Sequence, residues 1–411
     1  MKILLVSQYF WPESFIINDL VMCLAEEGHH VEVLTGKPNY PDGVVFEGYQ
    51  AMDRCSEFFI EKIPVHRVPL LPRGQGGIRL FMNYLSFVVS GLLFFHRFVK
   101  KKTFDVIFVF SASPVTSVIP AMFLKKRLKL PLVIWVQDLW PESLQATGFV
   151  ASRFIMHMTG RLVRWIYAAC DLLLMQSEAF EQPMSRYVSA NKLLYYPNSF
   201  LEPVVDLDRE PYLPEHLKEA LSQEDCFVFA GNIGSAQSVE TLVEAARSLQ
   251  QLPKCKIILV GSGSMLPWVE EQISKSRLSH LMCVGRLPRS AMPYIFSRAA
   301  GLLVTLKRCD IFAQTIPSKI QAYLAAGRPI VGALDGEGAR IILQAGAGLI
   351  SPAENGAALA ENIARIVQLS ESERDAFGHR GYAYFLKHFE MREQSQQLIK
   401  ILSSVVNRGK A

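Results

Sequence analysis

The sequence predicts an α/β protein made of two doubly wound, Rossmann-like domains facing a central cleft. Three observations carry this. The chain has 411 residues, more than one ordinary core holds, so two domains are expected. Short apolar runs alternate with amphipathic stretches along nearly its whole length. That alternation breaks once, at the proline-rich LEPVVDLDREPYLPEH (201–216), and then restarts.

The buried strands of the first part read ILLV (3–6), VEVL (31–34), VIFVF (106–110), LVIWV (132–136) and LLLM (172–175), with helices over 16–27, 152–169 and 178–188. Strands apolar on both faces and separated by helices indicate a parallel sheet covered on both sides. After the break come CFVFAG (226–231), KIILVGSGS (256–264), LMCVG (281–285), GLLVTL (301–306) and PIVGA (329–333). Helices fall over 237–249, 266–274, around Met292 and over 319–326. The expected domains are 1–200 and 201–390, with an amphipathic helix at 391–411 closing the chain and packing back on the first. Ligands in open α/β sheets bind beyond the carboxyl ends of the strands, so both domains are expected to open on one cleft.

The formal charge of +5 is unevenly placed. Between residues 62 and 164 fifteen Lys and Arg face only three acids, Asp105, Asp138 and Glu142. Such a patch suits phosphates or an anionic membrane surface. Nucleic acid is the rival partner, but no recognition module organises a face for it. The seven cysteines form no C-x-x-C pair, which favours a reducing compartment over a disulfide framework or zinc site. MKILLVSQYF reads as a strand rather than a secretory signal. The stretch IRLFMNYLSFVVSGLLFFHRFVKKK (78–102) has an apolar part over about 80–95, short of the roughly 20 residues of a spanning helix. It reads as an interfacial helix with its apolar face in the headgroup boundary of an anionic membrane surface, the alternative being a helix packed on the sheet.

Trp-Pro-Glu-Ser occurs twice, in QYFWPES (8–14) and QDLWPES (137–143), each time directly after a strand. Proline suits a first helical turn and glutamate a helix N-terminus, so the repeat is either a good strand-to-helix turn or a device presenting carboxylates. On the second reading Glu13, Asp138 and Glu142 orient sugar hydroxyls or take a proton from an attacking hydroxyl. In AGNIGSAQS (230–238), Gly231 and Gly234 allow close approach to an anion at a helix start. It is not the dinucleotide fingerprint, and VGSGS (260–264), with Gly261, fails that pattern too. LKRCDIFAQTIPSK (306–319) places Lys307 after a strand and Pro317, Ser318 and Lys319 at a helix start, where cations, a hydroxyl and helix N–H groups converge on a diphosphate.

Taken together, WPES, VQDLWPES, FAGNIG with QSVETLVEAA, VGSGS, VGRLPRSAMPYIF and IPSKIQAYLAAGRPIV make the whole chain resemble a family-four retaining glycosyltransferase of the GT-B class. The phrasing is similar to the bacterial O-antigen and capsule branch that includes L-fucosamine transferases. The resemblance implies transfer from a UDP-sugar, an N-acetylated deoxyhexose such as N-acetyl-L-fucosamine. The acceptor would be a sugar on undecaprenyl diphosphate, at the cytoplasmic face of the plasma membrane, with no metal cofactor. It implies a catalytic set drawn from Asp138, Lys307, Glu142 and Glu13. Gly231, Asn232, Gly234, Gln237 and Gly261 would face the donor, Gly285, Arg286 and Leu287 would hold the base, and Pro317, Ser318 and Lys319 would lie at the diphosphate.

Three departures stand out. The two glutamates that many relatives carry fall at Gln314 and Ala322, which leaves Gln321 to meet the ribose. The basic residue of the first donor loop is replaced by Gln237, and a frequent histidine by Gln137. A UDP-sugar epimerase of the same architecture and a catalytically silent subunit therefore stay open. A metal-dependent transferase would have only the D-x-D at 206–208, inside the linker.

Overall fold

The computed structural model describes the chain except residues 75, 101, 147–151, 204–210, 253 and 409–411, so the D-x-D at 206–208 lies outside the described residues. The chain divides into two compact units, Met1–Asn198 with Met391–Ala411, and Ser199–Glu390.

The first unit holds eight strands: β1 Lys2–Ser7, β2 His30–Thr35, β3 Cys55–Phe59, β4 Ile63–Arg67, β5 Val106–Ser111, β6 Leu132–Val136, β7 Leu172–Met175 and β8 Leu193–Tyr195. They run in the order β3-β4-β2-β1-β5-β6-β7-β8, parallel except for the β3–β4 hairpin. β5 and β6 are buried at every position, as continuous apolar runs predict. The hairpin was not legible because its turn is made by Ile60 and Glu61, with φ of 51° and 56°, where Asn-Gly is the usual sign. β8 is too short to show a period.

Connections β4→β5, β5→β6 and β6→β7 all step the same way across the sheet. Right-handed crossovers therefore put their helices, Gly77–Phe98, Ile119–Leu128 and Arg153–Ala169, side by side on one face. Helix Ile16–Glu26, from the opposite step, covers the other face and packs against Met391–Arg408. Arg392 of that last helix pairs with Glu26 at 2.7 Å, and the Tyr196 hydroxyl donates to the Gln394 carbonyl at 2.9 Å.

Helix Gly77–Phe98 has 22 residues and a mean hydropathy of 1.7, longer than the apolar stretch marked in the sequence and enough by length and composition to cross a bilayer. One side of it is occupied, however. Asn83, Phe87, Gly91 and Phe95 are buried, whereas Ile78, Phe81, Leu85, Val89 and Leu93 are exposed. The sequence favours an interfacial helix over a core helix; the helix packs through one face and leaves the other apolar face exposed.

The second unit holds β9 Asp225–Asn232, β10 Cys255–Ser262, β11 Leu281–Gly285, β12 Gly301–Thr305, β13 Ile330–Ala333 and β14 Gly348–Ser351. All neighbours are parallel, in the order β11-β10-β9-β12-β13-β14. Alternate residues of β9 enter different cores: Cys226 and Val228 one, Phe227 and Phe229 the other. This period of two is what a sheet buried on both faces requires. The chain order reverses between β9 and β12, so the crevice beyond their carboxyl ends is the expected ligand position of this unit.

Candidate functional site

In the second unit the expected residues gather at that crevice. β9 ends at Ala230, Gly231 and Asn232, and β12 is followed by Leu306 and Lys307. The two ends are tied together, because the Lys307 N–H donates to the Ala236 carbonyl at 3.0 Å. Helix Ser318–Ala325 starts beside them, with Pro317 at its N-cap. Its Tyr323 hydroxyl accepts from the Ala230 N–H at 2.9 Å and anchors the helix under β9.

Lys319 is the unusual residue here. Its Nζ is shut off from solvent and has no hydrogen-bond partner among the described residues. It lies 3.6 Å from the centre of the Phe229 ring, and a side-chain carbon on Gly231 would sit 3.8 Å from it. Gly231 has φ of +132°, a conformation other residues rarely adopt. Burial pulls the Lys319 amine down to about 7, since an ammonium loses its hydration and gains no anion. A buried cation without a partner, beside a glycine turn and a helix start, can bind an anion.

The other donor-side residues divide. Gln237 sits in the same loop with its Oε1 buried and without a partner among the described residues. Lys307 Nζ is 3.5 Å from Glu240, a neighbour the sequence did not single out. Asn232 and Gly234 follow in the β9 loop, and Ser318 is exposed at the helix start. Gly285, Arg286 and Leu287 leave the end of β11, where Arg286 donates to the Ser262 hydroxyl and Leu287 packs on the core. Two expectations are corrected. Gly261 pairs with Gly231 across the β9–β10 ladder. Any side chain there would run into the Gly231 carbonyl, so its glycine serves strand approach. Gln321 is 1% exposed, and with its amide turned so that nitrogen faces the backbone it donates to the Ser318 and Pro317 carbonyls at 2.9 and 3.1 Å. It braces its own helix and is not available to a ribose.

In the first unit both Trp-Pro bonds of the repeat, Trp11–Pro12 and Trp140–Pro141, are cis. The helices begin after the prolines, at Ile16 and Glu142, so neither proline occupies the first helical turn. Asp138, two residues beyond β6, accepts hydrogen bonds from the Ser113 backbone and hydroxyl, and burial raises its carboxyl above the ordinary range. Trp140 in turn donates to Ser113 Oγ at 3.0 Å, so the second WPES orients the group that holds Asp138. Glu142 has Oε1 3.5 Å from the Tyr187 hydroxyl and Oε2 buried without a partner among the described residues.

Glu13 departs from the carboxylate-presenting role. It is 1% exposed and accepts from the N–H groups of Phe10, Asn39 and Tyr40 at 3.2, 2.8 and 2.7 Å. Burial lifts it to about 7 against those hydrogen bonds. It binds two loops together rather than offering a carboxylate to a ligand.

The sequence reading missed a polar cluster beyond β1. Gln8 donates to Asn83 Oδ1 at 2.9 Å and keeps a buried Oε1 without a partner among the described residues. Tyr84 hydrogen-bonds Tyr9 and feels the Asp138 charge. The repeat held the signal in its glutamine: Gln137, matching Gln8, also has a buried unpartnered amide nitrogen. A groove of about 640 Å³ opens at the opposite, amino-terminal ends of strands β5 to β7. Its Lys125 and Asp171 neutralise each other at 2.7 Å, and it contains none of the expected residues.

Comparison with known proteins adds the following. Residues 15–199 match the family described as glycosyl transferase 4-like domain, and residues 215–384 match glycosyl transferases group 1. The chain is 24% identical over 352 residues to WcaI of Escherichia coli K12, whose name assigns it to glycosyl transfer in colanic acid biosynthesis, with 80% of this chain and 82% of that protein covered. Among solved structures, sucrose-phosphate synthase from Thermosynechococcus elongatus superposes with a TM-score of 0.72 at 17% identity, covering 99% of this chain and all of that one. HepE of Anabaena, solved with UDP, gives 0.66 at 15% identity, covering 98% of this chain and all of its own.

Proposed function

The chain belongs to the family-four glycosyltransferases of the GT-B fold, and from that premise we propose that it transfers a sugar from a UDP-sugar to a lipid-diphosphate-linked sugar in bacterial surface polysaccharide synthesis. The observation that carries this reading is Lys319, a buried ammonium without an anion at the switch point of the second sheet. A donor diphosphate supplies that anion, and the helix N–H groups beside Lys319 add to it. Lys307, on the neighbouring strand end, offsets charge on the departing diphosphate. HepE bound to UDP and WcaI by its name support the donor class and the polysaccharide setting.

In the proposed reaction the anomeric carbon–phosphate oxygen bond breaks and a bond to the acceptor hydroxyl oxygen forms on the same face, with retention. The hydroxyl proton passes to the leaving diphosphate. Asp138, with Glu142 beside it in the chain, positions the acceptor on the first unit. No metal takes part. The donor is an N-acetylated deoxyhexose such as N-acetyl-L-fucosamine, and the acceptor rides on undecaprenyl diphosphate. The protein works peripherally on the inner face of the plasma membrane, held there by the exposed face of helix Gly77–Phe98.

Incubating the purified protein with a panel of UDP-sugars and undecaprenyl-diphosphate sugars, with and without EDTA, tests this. A product heavier than the acceptor by one glycosyl residue, with release of UDP and the donor's anomeric configuration kept by NMR, supports it. Interconversion of UDP-sugars without acceptor, or UDP-sugar binding with no product from any pair, overturns it. Loss of product in EDTA overturns the metal-free step alone.

A further inference from the structure

We propose that helix Arg153–Ala169 is a second docking element for an anionic bilayer, joined to helix Gly77–Phe98 in one surface. This rests on the membrane reading above and extends it to a segment that the reading does not use.

The helix is two-sided. Val163, Ile166 and Tyr167 are buried against the unit. On the outside, Phe154, Met158 and Trp165 are 73%, 49% and 54% exposed. Steps of four and seven residues put these three in one stripe. Arg161 falls inside that stripe and Arg164 beside it, both exposed. Large apolar side chains left in water along a helix, rather than scattered singly, mark an interaction face. A tryptophan among arginines is the composition of a bilayer interface, where the ring sits at headgroup depth and the arginines snorkel to phosphates.

Position and charge identify the occupant. The crossovers place this helix, Ile119–Leu128 and Gly77–Phe98 on one face of the first sheet, so their outer sides point the same way. Phe123, 40% exposed, lies on the middle helix. The three helices together contain eight Lys and Arg and no Asp or Glu, and seven of the eight remain once Lys125, paired with Asp171, is set aside. A protein partner would need a matching acidic apolar surface, whereas an anionic bilayer supplies both components over the whole area. Two separated contacts fix the unit's orientation on the membrane, which a single amphipathic helix does not.

The test is flotation of the full chain with vesicles of phosphatidylcholine, with and without about 30% phosphatidylglycerol to supply the anionic surface. Phe154→Glu/Trp165→Glu and Leu85→Glu/Leu93→Glu alter exposed positions, and an unchanged thermal melt establishes that each variant folds. Binding should require phosphatidylglycerol and fall by about tenfold or more in each double variant. Brominated lipid should quench the wild-type tryptophan emission and fail to quench Trp165→Phe to the same extent. If Phe154→Glu/Trp165→Glu floats like the wild type while Leu85→Glu/Leu93→Glu does not, the second element is refuted and the first stands. If the wild type does not float at all, both fall. Self-association in the absence of vesicles, abolished by Phe154→Glu/Trp165→Glu, would assign the face to a second copy and overturn the proposal.

Discussion

Lys319 makes donor binding dependent on pH in a direction that can be calculated. Burial holds the amine at about 7 in the free protein. A diphosphate binds the charged form, so the apparent affinity is scaled by the charged fraction. With that value the charged fraction is about 0.9 at pH 6 and about 0.1 at pH 8, a weakening of roughly tenfold, and roughly thirtyfold by pH 8.5. A UDP-sugar is the right probe, because its diphosphate is a diester and lacks the terminal phosphate ionisation near pH 6 that would oppose the trend. Calorimetric titration with UDP-N-acetylglucosamine at pH 8, in two buffers of different ionisation heat, should show uptake of close to one proton. Lys319→Met should weaken binding and remove both the slope and the uptake. The same variant should be more stable when empty. The unfolded lysine, near 10.4, holds its proton above pH 7 where the folded one releases it, so this residue costs most below pH 7 and its cost fades as pH rises towards 10. A displacement of that size corresponds to about 4 kcal/mol, measurable by urea unfolding at pH 7. A pH-independent affinity with no proton uptake, or a slope that survives in Lys319→Met, would refute the reasoning.

Three further outcomes follow from the same geometry. Asp138→Asn should lower turnover about a hundredfold or more while leaving the UDP-sugar Kd within about twofold, and equal losses in both would remove it from the acceptor side. Lys307→Ala should cut turnover by more than about tenfold with little change in Tm, since its ion pair with Glu240 is partly exposed and worth little to folding; wild-type turnover would exclude its role. Glu13→Ala should act on stability instead, by about 3 kcal/mol, because it strands three backbone N–H groups. As Glu13 is raised to about 7, its contribution is fully present below about pH 4.5 and is lost as pH rises through 7. Glu13→Gln should flatten that part of the stability profile in urea titrations.

Five strands of each sheet, and the residues at their carboxyl ends, were legible in the sequence. Continuous apolar runs such as VIFVF and LVIWV can only be strands covered on both faces, and covered parallel strands put Gly231, Lys307 and Asp138 at carboxyl ends. The β3–β4 hairpin escaped because its turn at Ile60 and Glu61 uses positive φ without glycine or asparagine. What tertiary structure decided was which polar groups are taken. Glu13 and Asp138 lie in the two copies of one repeated phrase, yet Glu13 is saturated by backbone N–H groups from a distant loop while Asp138 accepts from the Ser113 backbone and hydroxyl. Lys319 looked like any basic residue at a helix start until packing against Phe229 removed its water and left it without a partner. Residue type and strand position are local properties of the chain. Desolvation and hydrogen-bond partners depend on contacts between segments far apart in sequence, and those exist only once the sheets and helices have assembled.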